Sequence, residues 1–123
     1  ENNRFSGTIK SINGEYCDVE LDGSDQQIKA LKVNVSSVGE KTQLSIRPER
    51  ISLNTKDLTS ENIFKGQVKE LIYLGDHIRV RLNVSGNDEF IVKVPNEGHT
   101  EFNEGDTIGL SWNAKDVRAL DHK

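Results

Sequence analysis

The sequence predicts an all-β protein built from two small five-stranded barrels or partial barrels in tandem, each with a short single-turn helix. Three observations carry this prediction: one block of sequence occurs twice, apolar and polar residues alternate, and no long amphipathic helix is present. The block is clearest at residues 44–53, of which residues 110–120 are a degraded copy. Each copy has an alternating strand, a polar bend and a second apolar stretch, so an internal duplication organises the chain.

The first two strands of each half follow the same duplication. Residues 5–12 align with residues 64–71, and residues 14–21 align with residues 75–82. Alternation with a period of two indicates half-buried strands, because successive side chains of a strand point to opposite faces. The side chains predicted to face the core are those of Cys17, Val19 and Leu21 in the first half and Ile78, Val80 and Leu82 in the second.

A third strand follows a turn in each half, at residues 28–35 and 89–94. Gly86-Asn87 precedes the second of these strands and supplies the positive φ that tight hairpin turns need. Pro95 is expected to end that strand, because proline cannot donate to a ladder.

The repeated block completes each half. A glycine followed by an acidic residue introduces it, at residues 39–40 and 105–106. Pro48 suits the first position of a single helical turn, and Asn113 suits an N-cap. Five short strands and one such turn suit a small, partly open barrel. The two halves then form two barrels, or one barrel completed by exchanged strands.

We divide the chain into a first repeat (1–53), a surface linker (54–62) and a second repeat (63–123). A chain of 123 residues suffices for one ordinary domain or for two very small ones that share a core. The sequence contains no methionine, which leads us to expect a fragment of a longer chain or a processed product.

No enzyme motif is present. The sequence lacks a Walker-type phosphate loop and a Gly-x-Ser-x-Gly elbow. His77, His99 and His122 are scattered without a second ligand at metal spacing. Cys17 is the one cysteine, so it forms no intrachain disulfide and is expected to be a core residue. We therefore expect no catalytic, cofactor-binding or metal-ligating residue, and no ATP hydrolysis by this chain.

Two acidic stretches are candidate cation-binding faces, with an ordinary solvated loop face as the alternative. Clustered carboxylates raise the local concentration of cations, but the calcium-loop spacing is absent. The first stretch contains Asp18, Glu20, Asp22 and Asp25. The second, the candidate polyamine face, contains Glu97, Glu101, Glu104 and Asp106.

Nucleic acid is not an expected partner. Small barrels that bind single strands present a positive groove and exposed stacking aromatics. The net charge here is −4. The large aromatic residues fall at core-phase or repeat-equivalent positions, namely Phe5, Phe64, Phe90 and Trp112.

Residues 46–51, Ile-Arg-Pro-Glu-Arg-Ile, resemble a segment of the TOBE (transport-associated OB) region of ABC importer ATPases. The resemblance extends over essentially the whole chain. Its further parts are Phe64-x-Gly66 through residues 72–75, and residues 105–106 leading to residues 110–112. The resemblance implies two OB-like repeats forming one regulatory domain. It also implies a homodimer with a second ATPase subunit and contact with membrane permease subunits through the parent protein. Such a domain lies on the cytoplasmic side of the membrane, and ATP and Mg²⁺ belong to an N-terminal domain outside this sequence.

The candidate partner or regulatory contact is the bend formed by Arg47, Pro48, Glu49 and Arg50. Two arginines that flank a glutamate on a rigid turn can form bidentate pairs across an interface. An intradomain salt bridge is the alternative.

The subfamily follows from residues 73–80 and 110–120, which look most like the spermidine/putrescine type. Ferric-iron and sugar importers share much of the scaffold and remain alternatives. A further alternative is a free-standing small-ligand-binding protein of paired OB-like barrels, such as an oxyanion carrier. That class needs backbone donors clustered with Lys or Arg, and no such cluster is obvious in the sequence.

Overall fold

The computed structural model describes residues 2–53, 60–97 and 102–121. His99, Glu101 and His122 lie outside these ranges. The described residues form ten β-strands and two 3₁₀ turns, labelled η1 and η2. In chain order these are β1 (Asn3–Asn13), β2 (Tyr16–Leu21), β3 (Gln27–Lys32), β4 (Lys41–Ile46), η1 (Pro48–Arg50), β5 (Ser52–Leu53), β6 (Asn62–Tyr73), β7 (His77–Val84), β8 (Asn87–Pro95), β9 (Thr107–Trp112), η2 (Ala114–Asp116) and β10 (Val117–Asp121).

The strands form a closed barrel, in the order β1-β2-β3-β10-β4, and a five-stranded sheet, in the order β5-β9-β6-β7-β8. The predicted all-β, OB-like architecture is confirmed, including the single helical turns at Pro48 and after Asn113. No helix in the described ranges is long and apolar enough to cross a membrane.

The two halves exchange their last strands. β10 lies in the first barrel, parallel to β3 and antiparallel to β4, while the short β5 pairs with β9 of the second sheet. The exchange arises at the two polar bends, where a 3₁₀ turn separates extended residues on either side. Residues 1–53 and 63–123 are therefore repeats of sequence, and the sheets do not follow that division.

Several strand ends differ from the predicted ones. The third strand of the second half, predicted at residues 89–94, runs from Asn87 to Pro95. The third strand of the first half ends at Lys32, whereas the sequence pattern predicts that it ends at Val35. β6 begins at Asn62, so the last residue of the predicted linker belongs to a strand. Residues 54–59 of that linker lie outside the described ranges.

Both sheets share one hydrophobic core, to which all the predicted core-facing residues of β2 and β7 belong. Aromatic rings connect the two sheets at its centre. The rings of Phe64 and Trp112 stack at 5.1 Å, Trp112 lies 5.8 Å from Phe90, and Phe90 lies 5.6 Å from Phe5 of the first barrel. These aromatic side chains are buried and cannot stack on nucleobases, as expected.

A buried asparagine at the start of the first strand of each half connects the two sheets. The carboxamide of Asn3 donates to the carbonyl of Ile91 and accepts from its N–H, at 2.6 and 2.7 Å. Asn62 makes the same pair of bonds with the backbone of Lys29, at 2.9 and 2.8 Å. Each half is therefore anchored to the third strand of the other half.

The two Gly-acid pairs brace equivalent turns. Gly39 and Gly105 adopt φ values of 90° and 92°, a region that favours glycine. The carboxylates of Glu40 and Asp106 each accept a hydrogen bond from the backbone N–H three residues upstream, at 3.2 and 2.9 Å. These acidic residues thus have a structural role in the fold.

Candidate functional site: a basic cleft at the first polar bend

The structure separates the four residues of the first polar bend. Pro48 is buried at the start of η1. Arg47 and Arg50 line a cleft of about 450 Å³, whereas Glu49 lines a different recess. The bend therefore presents its arginines and its glutamate to different places.

Among the described residues that line this cleft, here called the basic cleft, five have cationic side chains and one has a carboxylate. This excess of positive charge is local, because the chain as a whole has a net charge of −4. The lining residues are Asn2, Arg4, Ser45, Arg47, Arg50, Lys115, Asp116, Arg118 and Leu120.

Strand pairing forms the floor of the basic cleft. Arg4 of β1 and Arg118 of β10 are both register partners of Ser45 on β4. Neighbouring strands lie about 4.8 Å apart, so the backbones of the two arginines are separated by roughly 10 Å across Ser45. Arg118 occupies this position because β10 has exchanged into the first barrel.

Among the described residues, four of the five cations in the basic cleft form no ion pair with a carboxylate. Arg4 donates to the side chain of Gln43 at 3.3 Å. In residues 2–53, 60–97 and 102–121, no carboxylate pairs with Arg47, Arg50, Lys115 or Arg118. The intradomain salt bridge considered for the bend is thus not formed in the described part of the chain. The guanidinium groups are available to an anion from outside.

Glu49 faces a second recess, of about 410 Å³, which has mixed charge. Asp76, His77 and Lys93 also line it. His77 lies 2.9 Å from a carboxylate oxygen of Asp76, and this hydrogen bond, together with the charge of the ring, lowers the pKa of Asp76. No group of three or more potential metal ligands occurs among the residues described by the structure.

The first acidic stretch is largely engaged with its own domain. Asp18 accepts a hydrogen bond from the Ser11 hydroxyl at 2.7 Å. Asp22 pairs with Lys41 at 2.9 Å, and Glu20 lies 3.6 Å from Lys10. These contacts favour the ordinary solvated face for this stretch. Of the second stretch, Glu97, Glu104 and Asp106 are exposed, and Glu101 lies outside the described residues.

Cys17 is buried in the shared core. Burial raises the pKa of its thiol, with a further contribution from the charge of Asp18. A buried thiol of raised pKa is a poor nucleophile, so the side chain acts as a small core residue.

The fold and the cleft together define a duplicated, strand-exchanged OB-like domain with a charged surface site. The family model for the TOBE domain matches residues 44–120. The chain belongs to the TOBE domain family. Its fold also resembles that of the cytoplasmic molybdate-binding protein ModG in its molybdate-bound form, with a TM-score of 0.83, 20% identity, and coverage of 98% of this chain and 96% of that one. This likeness concerns the fold.

Curated relatives are spermidine/putrescine import ATP-binding proteins PotA. The protein from Trichodesmium erythraeum is 28% identical over 98% of this chain and 33% of its own length. The protein from Pseudomonas aeruginosa UCBPP-PA14 is 31% identical over 89% of this chain and 31% of its own length. The protein from Roseobacter denitrificans is 36% identical over 78% and 26%. The chain thus spans about a third of the length of these relatives or less.

Proposed function

We propose that this chain is the C-terminal regulatory and dimerisation domain of an ATP-binding subunit that drives import of spermidine or putrescine. The observation that carries this proposal is the alignment of nearly the whole chain with about a third of the PotA protein of Trichodesmium erythraeum. Under this proposal the chain is not catalytic itself, and ATP and Mg²⁺ bind to the ATPase domain. Its partners are a second ATPase subunit and the permease subunits, at the cytoplasmic face of the membrane.

Within this proposal, the first polar bend is the regulatory contact of the domain. Arg47 and Arg50 are free of protein carboxylates in the described ranges. In the full-length parent, we expect Arg47→Ala to weaken subunit pairing or uncouple ATPase activity from transport while barely lowering the melting temperature. The measurements are ATPase rates with and without the permease, together with analytical ultracentrifugation.

Lys65→Ala is the matched control, because Lys65 is exposed on β6 and does not line the basic cleft. It should leave both pairing and coupling unchanged. A loss of stability by Arg47→Ala with pairing and coupling intact would assign Arg47 to folding alone.

A polyamine-sensing face, if the parent imports polyamines, must avoid the basic cleft, because like charges repel. Glu97, Glu101, Glu104 and Asp106 remain the candidate. Exposed ion pairs contribute about 0–1 kcal/mol each, so four would give an affinity of roughly millimolar order at best. Calorimetry with spermidine should therefore show weak binding that weakens further as salt rises.

Replacing Glu101 and Glu104 with Gln should remove that binding. Replacing Asp18 and Glu20 with Asn and Gln, in the first acidic stretch, is the control and should leave it unchanged. Absence of heat at millimolar spermidine would exclude the second stretch as a sensor and leave the domain with its dimerisation role.

A second candidate function is a free-standing small-ligand-binding protein. It is favoured by the fold shared with ModG, which covers 96% of that chain, and by the cationic cluster of the basic cleft. The coding sequence upstream of Glu1 distinguishes the two: a Walker motif followed by an ABC signature supports the regulatory domain. Transport assays of such a parent would then separate polyamines from ferric iron and sugars.

A further inference from the structure

The internal repeat shows that the fold does not require the charge of the basic cleft. A second row of residues has the same register on the other sheet, because Ile63 and Ser52 are both register partners of Ser111. In this equivalent row no residue is cationic. The repeat equivalents of Arg4, Arg47 and Arg118 are Ile63, Asn113 and Ser52. The second sheet therefore has a neutral row at the position where the first barrel has Arg4 and Arg118.

The floor of the basic cleft also contains a polar side chain that has no hydrogen-bond partner among the described residues. Ser45 is only 8% exposed, yet it lines the cleft between Arg4 and Arg118. Its hydroxyl hydrogen-bonds no other residue in the part of the chain that the structure describes. Cations that converge on one recess repel one another, and a bound anion relieves this repulsion while accepting their N–H groups. The nearly buried Ser45 and several cationic residues therefore line the same space.

We propose that the basic cleft binds a small molecule that carries two or more phosphate groups. The arginine fork matches phosphate oxygens bidentately, and four of the five cations in the cleft are arginines. A volume of about 450 Å³ far exceeds what a single tetrahedral oxyanion fills, since one water molecule takes about 30 Å³. The backbones of Arg4 and Arg118 lie roughly 10 Å apart, which leaves room for more than one phosphate between their side chains.

The lining also limits what carries the phosphates. No aromatic side chain occurs among the described residues that line the basic cleft, and these residues offer no stacking platform for a nucleobase. Single-stranded nucleic acids rely on such platforms together with a positive groove. The composition of the cleft therefore favours an inorganic polyphosphate or a phosphorylated aliphatic carrier.

The proposed ligand class applies to the bend that we proposed as the regulatory contact of the domain. Only the regulatory consequence of ligand binding rests on that proposed function. The proposed binding uses residues of this 123-residue chain. Loss of ligand binding is therefore measured on the isolated chain, and loss of ATPase coupling is measured on the full-length parent.

The test is calorimetric titration of the 123-residue chain with inorganic triphosphate, orthophosphate and citrate at matched ionic strength. Triphosphate should bind at least about tenfold more tightly than either comparator, because only it places several phosphates in the cleft. The Arg47→Gln/Arg118→Gln variant should weaken triphosphate binding about tenfold or more, since it removes two guanidinium groups that donate charge-assisted hydrogen bonds to phosphate.

Lys65→Gln/Lys69→Gln is the charge-matched control, because both lysines are exposed on β6 and do not line the cleft. It should change the affinity less than about twofold, since screened surface charges act weakly at a distance. Equal weakening by the two double variants would overturn the proposal in favour of diffuse attraction. Equal binding of citrate would favour an acidic peptide as the occupant and also overturn it, as would the absence of heat.

An NMR experiment keeps the test independent of variant stability. In the unmodified chain, triphosphate should shift the amide resonances of Arg4, Ser45 and Arg118 most strongly. Shifts confined to the second sheet, or spread over all lysines and arginines, would place the binding elsewhere and refute the basic cleft as the site.

Discussion

Asn3 is the residue whose structural role is least evident from its chemistry, because it is polar and yet 3% exposed. Asn3→Ala removes both hydrogen bonds to Ile91 and leaves a buried N–H and a buried carbonyl without partners. We expect a loss of about 2–4 kcal/mol in the free energy of unfolding, since each orphaned buried group costs about 1–3 kcal/mol. Urea denaturation measures the change.

The neighbouring Asn2 is exposed and provides the control. Asn2→Ala should fall within about 0.5 kcal/mol of the parent chain, as surface substitutions usually do. Similar losses for the two variants would mean that the carboxamide of Asn3 does not anchor the sheets.

For single residues, the sequence predicted the structural roles of side chains that follow a local pattern. It did not predict the roles of side chains whose partners are distant. Alternation placed Cys17 in the core, and the bend motif singled out Arg47 and Arg50. Asn3 was not identified as a structural residue, because its hydrogen-bond partner lies on the other sheet. Arg118 was missed because only strand exchange brings it beside Arg47. The available signal was the repeat alignment, in which Arg118 stands opposite a serine.

The first strand of each half contains a glycine that a neighbouring strand approaches closely. A Cβ built at Gly7 would lie 2.5 Å from the carbonyl oxygen of Glu20, which is fixed in the backbone. At Gly66 the nearest atoms, at 2.9 Å, belong to side-chain methyl groups such as that of Leu110. At Gly109 nothing lies within 4 Å. Equivalent glycines therefore differ in what surrounds them.

Alanine substitution should rank these three glycines. Gly7→Ala should destabilise by about 3 kcal/mol, because the backbone must move. Gly66→Ala should cost about 1–2 kcal/mol, because methyl groups can shift. Gly109→Ala should be neutral or slightly stabilising, since alanine reduces the entropy of the unfolded chain. Thermal unfolding of the three variants measures the order, and a larger effect at Gly109 than at Gly7 would contradict this account.

At the level of elements, the sequence predicted most strands and both 3₁₀ turns because their signals are local. The Gly-acid pairs were recognised as markers of the repeat, while their function as turn braces depends on hydrogen bonds visible only in the structure. The third strand of the first half was predicted too long, because the apolar residues that follow Lys32 continue the pattern after the ladder has ended.

The exchange of β5 and β10 makes the two sheets mutually dependent. A chain that ends at Asp116 lacks β10, which leaves β3 and β4 of the first barrel without their shared neighbour. We expect this truncated chain to lose cooperative unfolding, because an opened barrel exposes core residues and unpaired strand edges. Circular dichroism during heating, together with the dispersion of amide resonances, measures the loss.

A synthetic peptide of residues 113–123 should restore cooperative unfolding to the truncated chain, whereas a scrambled peptide should not. Residues 1–53 alone should also remain unfolded, since they lack the strand that closes the barrel. Independent folding of residues 1–53 would show that the exchanged strand is dispensable.

For the whole molecule, the duplication predicted two OB-like units, and the choice between separate and strand-exchanged barrels stayed open. The reason is that a repeat specifies which residues form a strand and says nothing about which sheet receives it. The parallel pairing of β10 with β3 joins Arg118 to Leu31, which are far apart in the sequence, and no local pattern encodes such a contact.

The exchanged strand determines when the first barrel can close during synthesis of the chain. As the chain leaves the ribosome, β1 to β4 emerge before β10, and their barrel cannot close until residues 117–121 have been translated. Pairings between such distant segments form slowly, and until then β3 and β4 keep open edges of the kind that invite aggregation. A product of interrupted translation therefore has no closed barrel and exposes its interior to chaperones and proteases. Closure of the first barrel therefore requires that synthesis has passed residue 121.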